Sequence, residues 1–405
     1  MPVLPGYKNF NGRHYETGSV HNILSYQGYT APHTGQPYSE ALLLGISGGI
    51  AFGYFTFAYE GYDPILALLT RNTFDPLQTL LERLGIPQNV RQTNQATTGE
   101  KNLLEALDNG RPALVWADLF SLPYNALPPE EKNWDMQPVV VYGFQDGMAY
   151  LAGPSTQPLV IPAEALAAAR ARVKKDKFRL VTLDAPDERK LPGAVQQGIW
   201  QCIQLYTEKP PKGARDNFGF AAFEKWASML TNTRNPQGWA RLFPPGPALL
   251  AALAGSAYLP GAYGWIQEWG TRPNADRTTY AEFLDEAALL LDKPGLEQAS
   301  QAFRQSAEGW QTLTEALLPG DIPLLGEAKR LKDRRRQLLL DSGFSSVEEI
   351  REINLALGKL RQKAVEDFPI AGQAAVDFFS GLREYVLETC LAEQHAVKTL
   401  RQAMD

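Results

Sequence analysis

The sequence predicts two parts: an α+β domain over about residues 1–185, in which helices precede an antiparallel sheet, and an all-helical domain over 192–405. Three observations carry this. Short apolar runs joined by hairpin turns are confined to the first half. Apolar positions at helical spacing fill nearly all of the second half. Between them Asp184 to Pro192 (DAPDERKLP) is polar, charged and bracketed by prolines, and reads as the boundary.

The first helix is placed at about Glu16 to Gln27, because Val20, Ile23, Leu24 and Gln27 fall at i, i+3, i+4 and i+7. The polar turn Asn11-Gly12-Arg13 leads into it. Tyr15 then sits at or just before the first turn, where backbone N–H groups point outward unpaired. A side chain there feels the positive end of the helix dipole, and free amides at that place can stabilise an oxyanion. Asp75-Pro76 opens a further helix, with Asp75 as N-cap, Pro76 at the first helical position and Gly85 at the end. Thr97-Thr98-Gly99-Glu100 reads as a capping box for a helix over Glu100 to Asn109. Strands follow at Pro112 to Ala117, Val139 to Phe144, Met148 to Ala152, Leu159 to Ile161 and Phe178 to Leu183, with a helix over Pro162 to Lys174. Asp146-Gly147 is the hairpin turn between the second and third. That order argues a helix packed on an antiparallel sheet. Beyond the boundary the helices expected are Ala194 to Glu208, Gly219 to Leu230, Thr278 to Leu291, Leu296 to Leu317, Ile322 to Asp341, Ser346 to Asp367 and Ala371 to Ala403.

Composition narrows the function classes. An apolar fraction of 44% over 405 residues supports ordinary cores. A net charge of −6 gives no footing for nucleic acid. Two cysteines, Cys202 and Cys390, are too few for a disulfide framework or a cysteine zinc site. The first ten residues, MPVLPGYKNF, lack the basic stretch and apolar core of a signal peptide. The most apolar stretch, Pro247 to Ala262, is rich in alanine and glycine and broken by Pro260, so no membrane span is expected. The expectation is a cytoplasmic protein with no cofactor and no nucleic-acid or membrane partner. Its oligomeric state is not written in the sequence.

Three of the four histidines, His14, His21 and His33, fall within Asn11 to Phe57, the stretch around which the chain is organised. It carries two motifs. His14-Tyr15-Glu16-Thr17 opens the first helix. Ser39-Glu40-Ala41-Leu42 is followed by Gly45, Gly48, Gly49, Phe52 and Tyr54. This segment resembles the N-terminal domain of the butirosin biosynthesis protein H family. Asp118-Leu-Phe-Ser-Leu-Pro-Tyr124 is similar to a piece of the same family. Arg277-Thr-Thr-Tyr280 with Phe283 to Ala287 is similar to its helical C-terminal domain. The resemblance covers nearly the whole chain. It implies a papain-like fold and the chemistry of acyl transfer from a carrier-protein thioester. The nucleophile would head the first helix, and a histidine would lie on a later strand.

At the residues that matter most the chain departs from the family pattern. Tyr15 stands at the cysteine position. Gln137, before Val139 to Phe144, stands at the histidine position, and no histidine occurs between His33 and His395. Gly153, before Pro154, stands where the imidazole's orienting residue belongs. A thiolate, a base and an orienting group act as one unit, so three simultaneous departures argue that the cysteine chemistry is gone. Tyr15 is a poor substitute nucleophile, with a phenol pKa near 10 against about 8.5 for a thiol and no histidine base. The expected function is therefore that of a catalytically inactive homologue. It keeps its cleft, at His14, Tyr15, Glu16, Gln137, Gly153 and Asp118, to bind a small molecule, a peptide or an acyl-carrier arm in a specialised-metabolite pathway. An active acyltransferase or amide hydrolase with its nucleophile elsewhere, and a scaffold acting through the helical domain, are the alternatives.

Blander readings stand beside these. His14 and His21 share a helix face but lie two turns apart, roughly 10 Å, too far for one ion. Gly45, Gly48, Gly49 and Gly53 lack the Gly-Lys-Ser/Thr ending of a phosphate loop and read as close backbone packing beside the site. Cys202 and Cys390 read as small buried apolar residues. Asp118, at a strand end, either faces a pocket or caps the loop that follows. The basic run Arg330 to Arg336 reads as a solvated helix face, and the aromatics of Tyr258 to Trp269 as packing.

Overall fold

The computed structural model describes residues 3–60, 63–127, 134–175 and 177–405. Among these, the strands in chain order are β1 (Ile50–Phe57), β2 (Ile65–Arg71), β3 (Gln88–Arg91), β4 (Ala113–Asp118), β5 (Met136–Gln145), β6 (Met148–Ala152), β7 (Leu159–Pro162) and β8 (Leu180–Leu183). The chain divides into two units. One comprises residues 1–43, 80–191 and 334–354, the other 44–79, 192–333 and 355–405.

The first unit is α+β. Its sheet is antiparallel throughout, in the order β3-β8-β4-β5-β6-β7. Val139, Val140 and Val141 of β5 are buried, as a central strand covered on both faces requires. The helix Thr17–Tyr26 packs against β5 and buries Val20, Ile23 and Leu24. The N-terminal segment also lies on β5: Leu4 N–H donates to Tyr142 O at 2.9 Å, and the Tyr7 ring stacks on Tyr142 at 4.2 Å. Residues 334–354 belong here as well. Thr156 N–H donates to Leu340 O at 2.7 Å, and the Asn354 side-chain amide donates to Asn125 O and Ala126 O at 3.1 and 3.2 Å.

The second unit is helical apart from the β1–β2 hairpin, on which Gly219–Thr231 and Gly261–Gln267 pack. The helices Arg277–Leu291, Gly295–Leu317 and Gln373–Met404 form its core. At its centre is a fully buried ion pair. Arg277 Nε donates to Glu393 Oε1 at 2.8 Å, and the same guanidinium donates to Thr70 O, Ala275 O and Ala51 O. Ser306 and Trp310 donate to the same Oε1, and the Tyr206 hydroxyl and Arg277 Nη2 donate to Oε2. Every polar group is matched, which is the condition under which a buried pair is tolerated.

Most expected elements are present, and the helices expected in the second half match to within a residue or two at most ends, but Trp239–Leu242, Pro247–Ala254 and Gly261–Gln267 were not expected. Three differences have physical reasons. The helix expected from Glu100 begins at Ala96, and no side-chain cap bond forms at its N-cap Gln95, so the threonines lie inside the first turn instead of capping it. β1, β2 and β3 were not anticipated. β1 is apolar at nearly every position and so shows no alternation, and β3 is four residues long. Asp184 to Leu191 is not a loose linker: Asp184 N–H and Asp187 N–H donate to Pro87 O and Leu84 O, and Leu191 is buried at the start of a helix.

Candidate functional site

The entry to the first helix is held by one remote carboxylate. Glu40 Oε2 accepts from Arg13 N–H at 2.7 Å, and Oε1 accepts from His14 N–H at 2.9 Å and from the Thr17 hydroxyl at 3.0 Å. A negative charge at that end also suits the helix dipole. The Ser-Glu of the second motif thus supplies the anion for the first. The turn lies tight on the helix, for a Cβ on Gly12 would come within 2.2 Å of Gly18 O. His14 Nδ1 accepts from Glu16 N–H at 3.2 Å. Part of the amide array expected to be open to an oxyanion is therefore occupied within the chain.

Tyr15 is half-buried just ahead of the helix. Its phenol is pushed well above the ordinary range by burial. The Asp135 carboxylate adds to this, and the Arg335 guanidinium opposes it. Asp135 immediately precedes β5. Burial pushes its carboxyl up to about 6, the Gln137 amide opposes the shift, and nearby Asp118 adds to it. Gln137 Nε2 donates to Asp135 Oδ1 at 3.0 Å. Tyr124, fully buried in the short turn Pro123–Asn125 after β4, is raised by burial and by the neighbouring Tyr15. Its hydroxyl has no hydrogen-bond partner among the described residues.

Tyr15, Gln137 and Asp118 are thus brought into one neighbourhood through Asp135. Asp118, with no exposed surface, accepts from the Ser121 hydroxyl at 2.5 Å and from Asp135 N–H at 2.9 Å, and pairs with Arg172 at 2.7 Å. These bonds tie the end of β4 to Ser121, Asp135 and Arg172, although Asp118 forms no side-chain cap on the turn Leu119–Ser121. Gly153 is buried directly after β6, and a Cβ there would meet only Leu159 Cδ1, at 3.0 Å.

The glycines lie elsewhere. Gly45, Gly48, Gly49 and Gly53 belong to the second unit, whereas His14, Tyr15, Glu16, Gln137, Gly153 and Asp118 belong to the first. Their packing is as close as the sequence suggested. A Cβ on Gly45 would overlap the Phe283 ring at 2.3 Å, and one on Gly49, at φ +70°, would come within 2.6 Å of Tyr280. Gly48 faces Asn72 and Gln201, and Gly53 faces Leu69 across the hairpin.

Sequence reasoning missed Asp135, Tyr124 as a site residue, and Arg335. Asp135 carried a signal, an acid two residues from Gln137. Arg335 carried none, because it reaches the site only through the return of residues 334–354 to the first unit. The solvated-face reading of Arg330 to Arg336 holds for the exposed Arg330–Glu327 pair but not for half-buried Arg335, which donates to Asn354 Oδ1 at 3.3 Å and acts on Tyr15.

The remaining candidates are placed plainly. His21 Nδ1 lies 2.7 Å from Tyr38 O, and among the described residues no group of three or more His, Cys, Asp or Glu could hold a metal ion. Cys202 is fully buried, donates to Ile50 O at 3.3 Å and is pushed up to about 12 by burial; Cys390 is buried and pushed up similarly. Trp265 and Trp269 pack at 4.8 Å, with Trp265 Nε1 donating to Leu66 O. No described helix is long and apolar enough to cross a membrane.

Comparison with known proteins agrees with the motifs. Residues 14–154 match the family described as butirosin biosynthesis protein H, N-terminal, a span that opens at His14 and closes at Pro154. Residues 164–319 match a domain of unknown function, DUF4872. No curated protein matches the chain. The fold, a mixed α/β region with antiparallel strands followed by helices, is compatible with a papain-like arrangement. The two matches, in this order, support a butirosin biosynthesis protein H-like family.

Proposed function

We propose that this protein is a non-catalytic member of an acyltransferase-like biosynthetic family, and that it uses the neighbourhood of Tyr15 to bind a ligand rather than to transform one. The reading rests chiefly on one observation: the position that heads the first helix carries a half-buried phenol whose proton is held more tightly than in water. Nucleophilic catalysis needs the opposite, a group whose proton is easily lost or taken by an adjacent base. Gln137 supplies a hydrogen bond but no base, and Gly153 supplies nothing to orient one. Both cysteines lie in the other unit, buried and protonated.

What remains can hold a molecule. His14, Tyr15, Glu16, Asp135 and Gln137 are half-buried and offer polar groups that a ligand could reach, while Tyr124 is fully buried. The ligand would be a small molecule, a peptide or an acyl-carrier arm of a specialised-metabolite pathway, and the protein would act in the cytoplasm. Acetyl-N-acetylcysteamine, a simple thioester, tests this reading. It should raise the unfolding midpoint in proportion to its occupancy and be recovered intact. The rise should shrink in Glu16→Ala and Gln137→Leu. Consumption of the thioester by the wild type, or stabilisation indifferent to both substitutions, would contradict the proposal.

A further inference from the structure

Residues 3–10 form neither helix nor strand, yet Leu4 and Tyr7 among them are buried. β5 is shaped to receive this segment. Its pairing with β6 slips between Val141 and Gly143, so Tyr142 is the extra residue of a bulge, a device that re-aims a side chain. Tyr7 stacks on the Tyr142 ring at 4.2 Å with 8° between the planes, and Phe10 meets the same ring in an edge arrangement at 5.7 Å. Gly143 lets the backbone close in, for a Cβ there would come within 2.5 Å of Val3 Cα. Tyr7 also lies 5.0 Å, between ring centres, from Tyr26, the last residue of the first helix. The other end of the segment runs into the head of that helix. Arg13 Nη1 donates to Phe10 O at 2.8 Å, and the Arg13 and His14 amides are the two held by Glu40.

We infer that residues 3–10 are a strap, and that its docking on Tyr142 and Gly143 fixes the head of the first helix, and with it Tyr15, against β5. The strap is held by Leu4 N–H on Tyr142 O and by the rings of Tyr7 and Phe10. A segment attached in this way opens at lower cost than the sheet beneath it, because only its own contacts need to break. When it lifts, Phe10 O leaves Arg13, and the turn into the helix loses a support that the Glu40 bonds alone must then replace. Gln137 lies on the strand that the strap grips, so the strap joins the two elements that carry the candidate site. The Tyr7 hydroxyl takes no part in the grip: it is enclosed and has no hydrogen-bond partner among the described residues. The ring does the docking. This role goes beyond the binding function proposed above and holds whatever the site binds.

Hydrogen exchange of the full-length protein, read by peptide mass, tests the strap. The peptide over 11–17 reports the helix head, and the peptide over 113–118 reports β4. Three variants are compared with the wild type. Tyr7→Ala removes the docking ring, Gly143→Ala pushes Val3 off β5, and Tyr7→Phe keeps the ring and drops the idle hydroxyl. Neither position 7 nor position 143 has a hydrogen bond to the helix head. In Tyr7→Ala and Gly143→Ala the 11–17 peptide should exchange about 10-fold faster, the scale of one lost aromatic pair, with β4 within about 2-fold of wild type. Tyr7→Phe should exchange no faster than wild type at either peptide. Unchanged exchange of 11–17 in Tyr7→Ala or in Gly143→Ala overturns the inference. So does equal acceleration of 11–17 and β4, which would make the segment an ordinary part of the global fold, and so does Tyr7→Phe behaving like Tyr7→Ala. No arm uses a ligand or measures turnover, so the strap and the non-catalytic reading can fail separately.

Discussion

Gln137 donates its side-chain amide to Asp135 at 3.0 Å, two residues before it on the same side of β5. The resemblance noted in the sequence leads one to expect a histidine serving as base at position 137. Here it carries a neutral amide, and its partner is an acid that the motif does not include. An imidazole built at 137 would therefore find a carboxylate in reach, and Gly153 need not be repaired.

The first expectation follows from this. Tyr15→Cys alone should give no thioester hydrolysis above buffer, since Gln137 cannot accept a proton. Tyr15→Cys with Gln137→His should exceed the single variant by about 100-fold, the usual scale of general-base assistance. Adding Asp135→Asn to that pair should reduce the gain. Initial rates on acetyl-N-acetylcysteamine decide it, and equal rates for the single and double variants would contradict it.

Asp135 sets the second, which concerns pH. Its carboxyl is raised to about 6, chiefly by burial, from an unfolded value near 4. Between those values the native state holds the proton and the unfolded state has lost it. The stability this contributes is complete below pH 4 and is lost as pH rises through about 6. Asp135→Asn removes the group. Relative to wild type it should therefore be more favourable at pH 7 than at pH 5, by on the order of 1 kcal/mol for a partly exposed site. Urea unfolding of both proteins at the two pH values measures this difference, and the reverse ordering would refute it.

The buried pair of the second unit gives the third. Arg277→Met leaves Glu393 uncompensated beside Ser306 and Trp310. A loss of about 3–5 kcal/mol is expected in urea unfolding. Glu393→Leu should cost similarly, and the double variant less than the sum, because the stranded charge is then gone. Additive losses would show that the two side chains do not act as a pair.

Gly45 gives the fourth. A methyl at this position would lie 2.3 Å from the Phe283 ring. Gly45→Ala should destabilise by about 1–3 kcal/mol, and Phe283→Leu in the same chain should restore part of it. Unfolding midpoints of the three variants are the readout. No recovery in the double variant would remove Phe283 as the cause.

Particular residues show how much was legible in the sequence. The helix bearing Val20, Ile23 and Leu24, the hairpin at Asp146-Gly147 and the long helices of the second half follow from periodicity and turn chemistry, which are local signals; the short helices between 239 and 267 did not. The position of Tyr15 at the head of the first helix followed equally well. What did not follow is long-range. Residues 44–79 are contiguous with the first motif yet join the helical unit, because β1 and β2 pack against Gly219–Thr231 and Gly261–Gln267. Residues 334–354 return to the sheet unit through bonds such as Asn354 to Asn125 O, and bring Arg335 with them. Neither exchange leaves a mark on local composition. Glu40 is the instructive intermediate. Its motif was visible, but its work, holding the amides of Arg13 and His14 from 27 and 26 residues away, appears only once the chain is folded.

The most direct measurement is the turnover of acetyl-N-acetylcysteamine by the unmodified protein, repeated with Cys202→Ser and Tyr15→Phe. The account expects no hydrolysis above buffer in any of the three. Clear turnover by the wild type, abolished by Cys202→Ser or by Tyr15→Phe, would contradict it and identify the nucleophile in the same experiment.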